Sequence, residues 1–222
     1  KNLLAKKREI IDAVLEAPNK DISRMPLVSD EEQAKIKHWN DTQVFYPKEL
    51  TFPDLFEAQV KRTPAATACV WLEGDNRRHH LTYQELNMRA NKLAHKLIDL
   101  GAGPGDIVGL VGAWSLNTVL GVLAILKVGA AYLPLDSRNP VKRLKNIIQE
   151  SGTDILLVCG AIKEGLGDGV NNVLLLDDLL FWESIDSPPR QDAIRLLSFG
   201  PQSLAIAILM YQTKGRKTGV NF

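Results

Sequence analysis

Apolar residues recur at helical spacing over Asn2–Leu15, where Leu3, Leu4, Ile10, Ile11, Val14 and Leu15 alternate with charged positions. The stretch "EAPNKDISRMP" breaks that period with two prolines and reads as a linker. A second short helix is predicted after Ser29 and ends near Trp39, with Glu32 at the capping-box spacing. "FPDLFEAQVKRTP" puts Phe52, Leu55, Phe56 and Val60 on one helical face and stops at Pro64. "ATACVWLEGDNRRHHLTY" reads as two short extended runs around a Gly74-Asp75 turn. Thr82 then caps a longer helix with Glu85 as its partner; Leu86, Ala90, Leu93, Ala94, Leu97 and Leu100 make its buried stripe, and Gly101 and Gly103 end it.

From here short apolar runs alternate with helical segments: "DIVGLVGAW", "NTVLGVLAILKVG", "AAYLPLD", "PVKRLKNIIQESG", "DILLVC", "NVLLLDD" and "SLAIAILMY". Strands that are apolar almost throughout, separated by helices, predict a parallel sheet covered on both faces. The fold class expected is α/β, a layered and mostly parallel sheet with flanking helices, preceded by a short helical leader. No fixed-period repeat or low-complexity segment interrupts it. "EGLGDGVNN" is expected as a turn between strands and "SIDSPPRQD" as an exposed loop.

Charge removes several function classes. Lys plus Arg is 27 against 26 for Asp plus Glu, so no basic footprint for nucleic acid or an anionic membrane exists. The longest apolar run, around Val119–Leu126, ends at Lys127 and is too short to span a bilayer, and no signal peptide is expected. Cys69 and Cys159 lack the spacing of a metal knuckle or redox pair, and two buried, inert thiols in a reduced, cytoplasmic protein are expected. The chain starts at Lys1, which fits a piece of a longer product.

Candidate chemistry concentrates in "MYQTKGRKTGVNF". Its glycines, threonines, lysines and arginine are the residue types of a loop that holds phosphate. It is not a P-loop kinase motif, because Met210 stands where the first glycine would be required. Elsewhere, His79 and His80 are expected as surface histidines, Asp177-Asp178 as a solvated turn or helix cap, and Ser115 as a helix cap.

Two motifs carry a resemblance. "LTYQEL" (Leu81–Leu86) and "LKVGAAYLPLD" (Leu126–Asp136) resemble the first two core motifs of nonribosomal peptide synthetase adenylation domains, members of the adenylate-forming superfamily. "WNDT" (Trp39–Thr42), "LFEAQVKRTP" (Leu55–Pro64) and "NPVKRL" (Asn139–Leu144) agree in order and spacing, with Asn139 where the family usually has tyrosine. Residues 14–32, "VLEAPNKDISRMPLVSDEE", resemble the end of a condensation domain and its linker. Both core motifs also make sense as scaffold: a capped helix in the first, and in the second a glycine that ends a helix before two small alanines.

The resemblance implies residues 1–40 as leader and 41–222 as the N-terminal, incomplete part of an adenylation domain. It also implies a parent that activates an amino or related carboxylic acid with ATP and Mg2+, then passes the acyl group to a carrier-protein thiol. Implied partners are the rest of the adenylation domain and the condensation and carrier domains. The family's third motif, a strand followed by Tyr-Thr-Ser-Gly-Ser-Thr-Gly-x-Pro-Lys-Gly-Val, would hold the phosphates. Here "IAILMY" matches the strand and Gly219-Val220 the end, but the serine-threonine-glycine core is missing and the loop is about two residues short by comparison. Thr213, Lys214, Gly215, Arg216, Lys217, Thr218 and Gly219 are therefore the candidate, degenerate ATP-phosphate loop, either a residual anion site or a solvated basic turn. No catalytic or metal-ligating residue is expected in the chain, and the isolated chain is expected to be inactive. The alternatives are a truncated scaffold or docking module, a decayed remnant, or an acyl-CoA ligase fragment; ATP and Mg2+ are expected for the complete parent domain, with no cofactor as the alternative for this chain.

Overall fold

The computed structural model describes residues 7–8, 11–12, 14–15, 28–45, 47–72, 78–113, 115–184, 200, 203, 205–211 and 217–221. The chain divides into two compact units, Lys1–Pro47 and Lys48–Phe222. In the first, residues 7, 8, 11, 12, 14 and 15 are helical and α1 spans Asp30–Trp39. Ser29 and Glu32 close the expected capping box, each backbone N–H reaching the other's side chain at 3.3 Å. The linker 16–26 and the Gly74-Asp75 turn lie outside the described residues.

The second unit opens with α2 (Phe52–Arg62), then β1 (Thr67–Leu72) and β2 (Arg78–Thr82), an antiparallel hairpin. α3 (Tyr83–Asp99) follows directly, with Thr82 Oγ1 accepting from the Glu85 N–H at 3.2 Å and Glu85 Oε2 accepting from the Thr82 N–H at 2.8 Å. β3 (Ile107–Gly112), α4 (Leu116–Lys127), β4 (Ala131–Leu135), α5 (Val141–Ser151), β5 (Ile155–Cys159), β6 (Asn172–Leu175) and the short α6 (Leu179–Ser184) complete the layered part. The sheet order is β4-β3-β5-β6 and every pair is parallel.

Strand residues alternate between two cores with the period of two that a pleated strand imposes. Val108, Leu110, Ile155 and Leu157 point to one face, where α3 and α4 contribute Leu93, Leu97, Ala124 and Ile125. Val111, Leu133, Leu135, Leu156 and Val158 point to the other, beneath Leu144 and Ile148 of α5. A third cluster joins Leu86, Ala90, Leu120 and Leu123 to the hairpin through Leu81, Cys69 and Trp71. Helices on both faces explain why the strands read as unbroken apolar runs.

β7 (Ala207–Tyr211) and β8 (Lys217–Asn221) form an antiparallel hairpin. It approaches the open side of β4: Ile206 makes a parallel bridge with Tyr132, whose N–H donates to the Ala205 carbonyl at 3.0 Å. β7 therefore runs in the same direction as β4.

Two details differ from the sequence reading. α2 has no buried residue, and Phe52 and Leu55 are exposed; Phe56 packs on the core, Glu57 pairs with Lys127, and Pro53, Gln59 and Val60 are half-buried. His79 is half-buried and stacks on Trp71 with ring centroids 5.4 Å apart, while His80 is exposed as expected.

Candidate functional site at the carboxyl edge of the sheet

Parallel strands end on one side of a sheet, and open α/β sheets bind ligands outside those carboxyl ends. Among the described residues four connections leave this edge: Ala113 and Ser115 after β3, 136–140 after β4, 160–171 after β5 and 176–178 after β6. They divide into a closed side and an open side.

The β3-β5-β6 side is closed by its own chain. Gly112 has φ +147° and stands opposite Cys159 in register; a Cβ there would lie 2.4 Å from the Cys159 carbonyl oxygen. Asp177 accepts from the Gly160 N–H and from Asn117 Nδ2, which also donates to the Leu176 carbonyl at 2.9 Å. Trp182 Nε1 donates to the same carbonyl at 2.7 Å. Ser115 caps α4 by accepting from the Thr118 N–H at 3.2 Å, as expected, and Asp178 accepts from the Leu180 N–H at 2.9 Å at the start of α6. The acid pair Asp177-Asp178 is thus spent on a clamp and a cap. Cys159 is buried and Cys69 half-buried; burial pushes both thiols up, which disfavours the nucleophilic thiolate.

On the β4 side, Asp136 closes the second core motif. Both its carboxylate oxygens accept from the Arg138 guanidinium, at 2.7 to 3.0 Å, and Oδ1 also accepts the Arg138 N–H. The Arg138 side chain and backbone hydrogen bonds hold the Asp136 carboxyl at about 2. Asn139 donates its N–H to the Asp136 carbonyl at 3.0 Å, and Lys163 Nζ donates to the Asn139 carbonyl at 2.9 Å. This turn is a self-contained ion pair on the surface, with Arg138 90% exposed.

The strand that precedes the candidate phosphate loop, β7, runs parallel to β4. Thr213, Lys214, Gly215 and Arg216 lie outside the described residues. Lys217, Thr218 and Gly219 belong to β8, paired with Tyr211, Met210 and Leu209. The connection between the strands is Gln212–Arg216, shorter than the loop 213–219 read from residue types. Backbone groups engaged in a ladder are not available to converge on a phosphate.

Mg2+ finds no fit among the described residues. They include no group of three His, Cys, Asp or Glu side chains able to hold a metal ion, and at this edge Asp136 and Asp177 are already satisfied by donors. The hydrogen bonds of Asp177 link positions 60 and 17 residues apart, which no local spacing signals. The same holds for Lys127, fully buried at the end of α4 and bonded to Glu57 at 2.5 Å. In sequence it reads only as a basic residue suited to a helix terminus.

Residues 56–211 match the family described as AMP-binding enzyme. Malpinin synthetase of Mortierella alpina is 36% identical over 219 residues, 96% of this chain and 3% of that protein. Gramicidin S synthase 2 of Brevibacillus brevis is 34% identical over 215 residues, 96% of this chain and 4% of that protein. The chain thus spans only a few per cent of the length of these relatives. Among solved structures, the nonribosomal peptide synthetase FmoA3 in its AMPPNP-bound form superposes with a TM-score of 0.69 at 26% identity, over 98% of this chain and 22% of that one. The N-terminal subdomain of Klebsiella oxytoca NpsA shares the fold, with a TM-score of 0.60 over 77% of this chain and 40% of that one. The capped α3 of "LTYQEL", the helix-to-strand turn of "LKVGAAYLPLD" and the strand of "IAILMY" all fall within the matched residues, and the chain belongs to the AMP-binding enzyme family as the N-terminal part of a nonribosomal peptide synthetase adenylation domain.

Proposed function

We propose that the parent of this chain activates an amino or related carboxylic acid with ATP and hands the acyl group to a carrier thiol, and that this chain is scaffold to that reaction without performing it alone. The observation that carries the reading is the β7–β8 hairpin, whose first strand runs parallel to β4 and occupies the position of the strand that, by the resemblance, leads into the phosphate-holding motif. Support also comes from FmoA3, whose solved forms include AMPPNP-bound and alpha-methyl-L-serine-AMP-bound states. In the parent, ATP supplies the adenylyl group: the substrate carboxylate bonds to the alpha-phosphorus and pyrophosphate leaves, with Mg2+ expected alongside the nucleotide. In this reading, residues 1–40 form the leader and 41–222 part of the adenylation domain, condensation and carrier domains are its neighbours, and the protein acts in the cytoplasm.

The chain's own contribution is positional. β4 orients the hairpin through the Tyr132–Ala205 hydrogen bond, and the Asp136–Arg138 pair shapes the adjoining turn. The loop Thr213–Gly219 retains cations but lacks the hydroxyl-rich core, and its last three residues sit in a ladder. Point charges without converging amides do not align a triphosphate for in-line attack. That pairing favours the second reading, a non-catalytic scaffold or docking module.

Amino-acid-dependent ATP–pyrophosphate exchange tests the proposal on the chain itself. No exchange above background is expected, and clear activity would overturn this account of the loop. Calorimetry with ATP, for the chain and its Lys214→Ala/Arg216→Ala/Lys217→Ala variant, measures residual anion binding. Equal heats for the two would remove these residues from the site.

A further inference from the structure

Lys127 is the only charged side chain among the buried described residues, with no exposed surface. Its ammonium lies 2.5 Å from Glu57 Oε1 and 5.8 Å from the centre of the Phe56 ring. Burial pulls its pKa down, and the Glu57 hydrogen bond and charge oppose that pull. Glu57 keeps 31% of its side chain exposed, so it can be solvated without Lys127, whereas Lys127 has no water to turn to. The two partners therefore depend on each other unequally.

Both Glu57 and Phe56 belong to α2, a helix without a buried residue. Its apolar attachment is the half-buried Phe56, set against the cluster of Leu81, Leu86, Ala90, Leu120 and Leu123. Few buried contacts on a helix mean a low free energy of local opening. The Lys127 end of the pair is anchored in the core, one residue before the turn at Val128–Gly129 that leads into β4. We propose that α2 is a clasp, held closed by the Glu57–Lys127 ion pair, that undocks as a unit while the parallel sheet stays folded. Removing Glu57 leaves a buried, uncompensated ammonium, which is relieved by displacing α2 to reach water or by giving up its proton. Removing Lys127 takes away the charge that needs compensation, and α2 stays down through Phe56. Undocking of α2 is independent of whether the phosphate loop binds a nucleotide.

Amide hydrogen exchange on the full chain tests it with Glu57→Gln, Lys127→Met and the double variant. Glu57→Gln is expected to accelerate exchange in α2 on the order of 100-fold, as loss of one partner of a buried pair implies. Exchange in β3 and β5 should be unchanged. Lys127→Met and the double variant are expected to protect α2 within about threefold of the parent chain, since an apolar replacement of a buried pair is often neutral. Unchanged α2 exchange in Glu57→Gln would overturn the clasp, as would equal acceleration in the sheet or a double variant as fast as Glu57→Gln. Should Glu57→Gln fail to fold, the double variant decides: a folded chain with protected α2 supports the proposal, and a second failure overturns it.

Discussion

Gly112 is the residue on which the closed side of the carboxyl edge turns. Its φ of +147° suits glycine, and an added Cβ would meet the Cys159 carbonyl oxygen at 2.4 Å, backbone that cannot rotate away. Gly112→Ala must therefore part the ends of β3 and β5, and a loss of about 2–4 kcal/mol in urea unfolding is expected. Gly103→Ala is the control: a Cβ there meets nothing nearer than Asp106 Oδ2 at 4.0 Å, and a change within about 0.5 kcal/mol is expected. Equal losses at the two sites would contradict the close approach. None of this was legible in "LVGAW", where the glycine reads only as a small residue in an apolar run. The constraint comes from the parallel register that sets Gly112 against Cys159. Asp177 was half legible for the same reason: its place at a strand end follows from the sequence, its grip on Gly160 and Asn117 from the fold.

Helices declared themselves where their ends carry the chemistry. Ser29 with Glu32 and Thr82 with Glu85 were both readable, since a hydroxyl and a carboxylate three residues apart satisfy two orphan N–H groups. Thr51 with Asp54 makes a third box, one methylene short of the glutamate pattern, and was not anticipated. Thr82→Ala is expected to lower stability by about 1 kcal/mol in a thermal or urea melt. A change under about 0.3 kcal/mol would mean that burial of α3 alone holds its first turn. α2 shows the limit of such signals. Its apolar spacing predicts a helix correctly and says nothing of how many of those positions find a neighbour, because coverage depends on how α3 and the hairpin pack. The last motif was legible as a strand, β7, while the ladder through Gly219 depended on pairing with β8.

At the scale of the whole molecule, edges and charge act together. Alternating apolar strands and helices gave the α/β class, but not the order β4-β3-β5-β6, which leaves β6 with no described strand on its outer side. β6 is short, its residues Asn172–Leu174 are half-buried, and Leu175 is 41% exposed. An unpaired strand with apolar side chains is a template for a second copy. The formal net charge is +1 at pH 7 and the isoelectric point about 7.9, so copies repel one another little. Sedimentation velocity near neutral pH is therefore expected to show association that grows with concentration. Leu175→Lys should shift the distribution toward monomer, because a lysine on the edge opposes pairing and adds repulsion. A parent chain that stays monomeric at every concentration would exclude β6 as a pairing edge. Association left unchanged by Leu175→Lys would assign it to another surface, with the exposed Val70 and Leu72 of β1 the next to substitute.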